Sequence, residues 1–225
     1  MSSNTIVLLS NSNIHEPYVF DWLKYILKPG MRVLCFAYAS DIGWQMESDL
    51  DIVTGEERQS MYYPFYHYGI NHDDFVVAPL PNKRNISYLK QKIETSDVIF
   101  FRGGFMENII FLLKSAGLWE LLKSQEDKIF IGASAGALVL EDMYQVCPFV
   151  EDDYINYQKE EGLGLTKGLN ILVHFKPDNW GHRFNLTYMT LTNPRRKVIA
   201  LGENGGIIYF DRGRYHLIGE TYTIL

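Results

Sequence analysis

The sequence predicts an α/β protein in three layers, a mostly parallel sheet with helices on both faces and an antiparallel C-terminal edge. Three observations carry this. Short, continuously apolar runs alternate with helix-like segments, the pattern of parallel strands covered on both sides. The last stretch instead holds closely spaced strand-like runs with glycine-rich turns. The chain has 225 residues, 47% of them hydrophobic and 21% charged, which is enough apolar surface to bury a core and too much to stay disordered. At that length residues 1–225 read as a single domain.

Thr5–Ser10 (TIVLLS) is aliphatic and β-branched and closes on Ser-Asn-Ser, so it reads as the first strand. His15–Leu27 reads as a helix stopped by Pro29-Gly30. Strands follow at Arg32–Tyr38, Phe75–Ala78, Asp97–Phe101 and Lys128–Gly132. The expected helices between them are Thr54–Tyr68, Ser87–Glu94, Glu107–Ser115 and Leu118–Lys123. Val198–Leu201, Gly206–Phe210 and Tyr215–Ile218 form the expected antiparallel edge. In such a sheet the ligand crevice lies at the carboxyl ends of the parallel strands.

Composition narrows the function. Net charge is −6, from 21 basic and 27 acidic residues, with no basic cluster, which argues against nucleic acid as a partner. Cys35 lies in an apolar run and reads as a buried thiol, and Cys147 has no partner at metal-ligand spacing, so neither a disulfide framework nor a metal site is expected. No basic segment followed by an apolar stretch marks the N-terminus, and no apolar run approaches the ~20 residues of a membrane span. The expectation is a cytoplasmic protein that needs no cofactor and does not contact a membrane.

The most informative segment is Ile129-Phe130-Ile131-Gly132-Ala133-Ser134-Ala135-Gly136-Ala137. It sets G-x-S-x-G directly after an apolar strand and before a helix-like run. In a nucleophile elbow the serine occupies a strained turn, and small neighbours avoid clashes where the chain reverses. Small residues that only let a helix pack close to a strand give the same bare pattern; the strand–turn–helix context favours the nucleophile. Backbone N–H groups at the helix start, from Ala135, are placed to stabilise an oxyanion. Gly103-Gly104, after the fourth strand, would turn further N–H groups into the same crevice.

A serine hydroxyl needs a base at neutral pH. His174 ends the apolar run Ile171-Leu172-Val173 and is the first candidate; His182 is the second. A third group must orient the imidazole. Of the acids between Ser134 and His174, the cluster Glu151-Asp152-Asp153 is best placed, after Pro148-Phe149-Val150. Arg183 is the candidate for holding a substrate carboxylate, because a guanidinium pairs with one bidentately.

These residues resemble the dipeptidase E and cyanophycinase family of serine peptidases. The similarity runs through Leu8-Leu9-Ser10-Asn11-Ser12, Gly103-Gly104, the serine motif Gly132-Ala133-Ser134-Ala135-Gly136-Ala137, and Gly168-Leu169-Asn170 leading to His174-Phe175. It implies a fold like that of class I glutamine amidotransferases with serine at the elbow. It also implies Ser134 as nucleophile, His174 as base, an acid between the two, for which Glu151 is chosen here, and Ala135 with Gly103 or Gly104 as oxyanion donors. The substrates implied are small peptides, with an N-terminal aspartate in the dipeptidase E branch. The chain departs from that branch at Phe105-Met106, where the pattern has Asn-Thr, and at Val173, where it has Pro. Two other readings share the serine motif. An α/β-hydrolase esterase would place its histidine last, at His216, and an amidotransferase-like binding module would keep the serine only for packing.

Overall fold

The computed structural model describes residues 4–38, 55–146, 149–150, 153–154, 158–210 and 214–224. Along these residues run β1 (Thr5–Leu9), α1 (Pro17–Leu23), β2 (Val33–Phe36), α2 (Gly55–Tyr66), β3 (Phe75–Val77), α3 (Ile86–Thr95) and β4 (Val98–Phe101). Then come α4 (Met106–Ser115), α5 (Trp119–Lys123), β5 (Ile129–Ala133), α6 (Ala135–Val139), β6 (Met143–Val146), β7 (Phe149–Val150), β8 (Asp153–Tyr154) and β9 (Gln158–Glu161). The chain finishes with β10 (Leu169–Leu172), α7 (Trp180–Thr192), β11 (Lys197–Phe210) and β12 (Arg214–Tyr222).

The main sheet has eight strands in the order β10-β11-β1-β5-β4-β2-β3, with β12 added on β11. The five strands from β1 to β3 are parallel throughout. Their apolar runs put alternate residues on opposite faces. Phe36, Ile99, Phe101 and Phe130 pack with α3, α4, α5 and α6 on one side, while Cys35, Phe100 and Ile131 pack with α1 and α2 on the other. The three-layer expectation holds. Burial pushes the Cys35 thiol up to about 12, so it is a packed core group.

The C-terminal edge is richer than expected. Val198–Leu201 and Gly206–Phe210 are halves of one strand, β11, with a register shift between Leu201 and Gly205. The first half pairs with β10 in parallel and the second with β1 antiparallel. Leu9 pairs with Gly206, and the N–H of Phe175 donates to the Leu201 carbonyl. The ends of β1 and β10 therefore meet at the shift, which brings the segment after β10 to the carboxyl edge of the parallel strands.

Several elements differ from the sequence reading. Helix α1 begins at Pro17 rather than His15, because proline has no N–H to lose at a first helical position. Helix α7 was not expected; Asn179 caps it by accepting from the N–H groups of Gly181 and His182. The pairs β6–β9 and β7–β8 form two small additional sheets.

One acid is fully buried where β10 meets the segment leading into β6. Glu141 accepts from Asn170 Nδ2 at 2.7 Å and from the Ile171 N–H at 3.2 Å. Its neighbour Asp142 pairs with Arg196 at 2.6 Å. Burial holds the Glu141 carboxyl well above the usual carboxylate range, against the pull of those hydrogen bonds. An acid with a raised folded-state pKa binds its proton more tightly when folded, so its contribution falls as pH rises past the unfolded value. Thermal melts from pH 5 to 8 should therefore show wild type losing stability relative to Glu141→Gln, with about 2–4 °C for each 1 kcal/mol. Parallel pH profiles for the two proteins would contradict this account of Glu141.

Candidate active site

Ser134 sits between β5 and α6 with φ 52° and ψ −121°, a backbone conformation that a residue with a Cβ rarely adopts. Its N–H is held by the Leu9 carbonyl at 2.9 Å. The sequence around it makes room for the turn. A Cβ on Gly136 would fall on the Phe101 carbonyl oxygen, and one on Gly132 would fall on the Gly136 carbonyl. On Gly103 it would come within 2.9 Å of Ser134 Cβ. The glycines of the serine motif and the first glycine after β4 are thus parts of one packing arrangement.

The hydroxyl is partnered. Ser134 Oγ lies 2.7 Å from His174 Nε2, and His174 Nδ1 lies 3.1 Å from Glu203 Oε1. Glu203 stands in the register shift of β11. A carboxylate only accepts, so the pairing with Glu203 puts the imidazole proton on Nδ1 and leaves Nε2 to accept from the serine hydroxyl. His174 itself has φ 55°, and its N–H donates to Ser10 Oγ at 2.8 Å.

The sequence candidates divide. Ser134 and His174 are brought together. Glu151 lies outside the described residues, as does Asp152, and the acid on the imidazole is Glu203, which follows the histidine in the chain. His182 is buried in α7, where its Nδ1 accepts from the Lys176 N–H at 2.9 Å. His216 lies on β12 and stacks on Trp22 at 5.4 Å. Arg183 Nη1 donates from α7 to the Pro177 carbonyl in the preceding loop at 2.8 Å.

Ala135 holds the first helical position of α6, where an N–H has no intrahelical acceptor. Since the Ser134 N–H is taken by Leu9, Ala135 is the donor this turn offers. Gly103 approaches the serine closely, and Gly104, at φ 130°, turns the chain into α4. Arg102, just before them, has its Nη1 buried with no hydrogen-bond partner among the described residues. Among the described residues no group of three or more His, Cys, Asp or Glu side chains is arranged to hold a metal. No helix among them is long and apolar enough to cross a membrane.

The glycine contacts yield a test. Gly103→Ala should displace Ser134 and lower its reactivity by about tenfold or more, since misplacement by 1 Å can cost 10²-fold. Gly136→Ala should lower stability by about 1–3 kcal/mol, because the added methyl meets backbone. Labelling with a serine-directed fluorophosphonate and denaturant melts would check the two; wild-type values in both variants would contradict the packing argument.

Comparison with known proteins agrees with this fold. Two solved structures share the fold. One is a peptidase from an acI-B1 Actinobacterium, 15% identical, with a TM-score of 0.67 over 97% of this chain and 88% of the other. The second is a protein of Listeria monocytogenes EGD-e described as peptidase E, 16% identical, with a TM-score of 0.66 over the whole of both chains. No curated protein matches the sequence. The model of peptidase family S51 matches residues 58–218, most of the chain and all of the Ser134–His174–Glu203 arrangement. The chain therefore belongs to peptidase family S51 and is a serine peptidase.

Proposed function

We propose that the protein hydrolyses small peptides through an acyl-enzyme on Ser134. The observation that carries this reading is the hydrogen-bonded line from Ser134 Oγ through His174 to Glu203. In the proposed reaction Nε2 of His174 takes the hydroxyl proton as Oγ attacks the scissile carbonyl carbon. The carbonyl π electrons move onto oxygen, and the oxyanion lies against the N–H of Ala135 and the backbone of Gly103 or Gly104. Glu203 orients the ring and stabilises the imidazolium. The imidazolium then protonates the leaving amine as the C–N bond breaks. Water, activated by the same nitrogen, hydrolyses the ester and restores the serine.

The finer specificity is an aspartyl dipeptide, and the cation offered to its carboxylate is Arg102 rather than Arg183. Arg183 has a backbone partner, whereas Arg102 adjoins Gly103 and leaves a buried guanidinium nitrogen unsatisfied among the described residues. A guanidinium nitrogen with unmet donors favours an acceptor, and a substrate carboxylate would supply one.

Ser134→Ala should abolish turnover with the fold intact. Glu203→Gln should lower kcat by about 10²–10⁴-fold, as expected when the ring's tautomer is no longer enforced. A dipeptide screen should find Arg102→Ala raising KM for aspartyl substrates and leaving neutral ones unaffected. Full activity in Ser134→Ala would remove the mechanism; an unaltered preference in Arg102→Ala would remove the carboxylate assignment.

A further inference from the structure

The end of β1 touches every member of the Ser134–His174–Glu203 line, each through a different atom. The Leu9 carbonyl accepts from the Ser134 N–H at 2.9 Å. Ser10 Oγ accepts from the His174 N–H at 2.8 Å. Asn11 Nδ2 donates to the Glu203 carbonyl at 2.5 Å. Three consecutive residues thus hold three residues that lie 40 and then 29 positions apart in the chain.

We infer that Ser10 and Asn11 are positioning residues for the reaction, acting through His174 and Glu203; this rests on the serine-peptidase mechanism proposed above. Ser10 is fully buried, and its hydroxyl lies 3.4 Å from the Leu201 carbonyl, to which it donates. The Ser10 N–H donates to the Gly205 carbonyl at 3.0 Å. Ser10 therefore ties both sides of the β11 register shift to the residue that carries the base. His174 needs this tie because φ 55° is a sparsely populated backbone state for a residue with a Cβ. The N–H held by Ser10 belongs to that strained residue, so its hydrogen bond bears directly on the direction in which the imidazole leaves the chain. Asn11 acts one step further out. Its Oδ1 accepts from the Asn13 N–H at 2.8 Å, which orients the amide so that Nδ2 faces Glu203.

Hydrogen bonds of this kind hold geometry without meeting substrate, so their loss should appear in kcat and leave KM unmoved. The test measures fluorophosphonate labelling at Ser134, and kcat and KM on a cleaved dipeptide, for wild type, Ser10→Ala and Asn11→Ala, each below its melting temperature. Ser10→Ala should lower the labelling rate and kcat by about tenfold or more, and Asn11→Ala by about threefold, with KM within about twofold in both. If Ser10→Ala does not fold, Asn11→Ala, altered at the protein surface, decides alone. Labelling of wild type together with wild-type kcat in the folded variants overturns the inference. Absence of labelling in wild type overturns the serine mechanism itself, and the inference with it.

Discussion

Keeping Ser134 at φ 52° and ψ −121° is unfavourable for any residue but glycine, and much of the surrounding sequence answers that constraint. The helix after the serine must start at once and lie against β4 and β5, so Gly132 and Gly136 have no room for a side chain. The loop after β4 must pass the serine Cβ, so position 103 is glycine as well. The Leu9 carbonyl fixes the remaining degree of freedom by taking the serine N–H. The turn is thus held by backbone contacts from β1, β5 and β4, three adjacent strands within the main sheet.

The fold was legible because its parallel strands carry their signal locally. TIVLL, VLCF, VIFF and IFIGA need no distant partner to be read as strands buried on both faces. Ser134 was legible for the same reason, since G-x-S-x-G encodes the turn's steric demand in adjacent residues. His174 needed one more step, an apolar run ending at a histidine, and the structure sets its Nε2 2.7 Å from Ser134 Oγ. Helix α7 was missed because aromatic and polar residues are interspersed in WGHRFNLTYMTLT, although Asn179 is a favoured capping residue. β9 was missed because Gln158-Lys159-Glu160-Glu161 reads as a solvated charge run; Glu160 in fact accepts from the Tyr144 hydroxyl and Glu161 pairs with Lys123.

The carboxylate beside the imidazole was the least legible part of the site. Expecting it between serine and histidine directed attention to Glu151, whereas Glu203 follows the histidine by 29 positions. Nothing in Glu203's immediate neighbours marks it as functional. Its place depends on β11 pairing with β10 on one side of the register shift and with β1 on the other, a property of the assembled sheet. The usable signal was Gly202-Glu203-Asn204-Gly205-Gly206 interrupting two apolar runs, which indicates a break within one strand as well as it does a loop between two. For Arg183, sequence likewise does not reveal that a nearby carbonyl would accept from its guanidinium.

The long strand β11 also bears on when the molecule becomes competent during its synthesis. The serine turn is complete once β5 and α6 lie beside β1 and β4, all of which leave the ribosome well before residue 197. The imidazole belongs to a residue that Ser10 also holds and that follows β10, which pairs in parallel with β11. The carboxylate arrives on the same strand. The turn around the nucleophile thus draws on residues up to Val139, whereas its proton acceptor and carboxylate depend on strands that begin at Leu169 and Lys197.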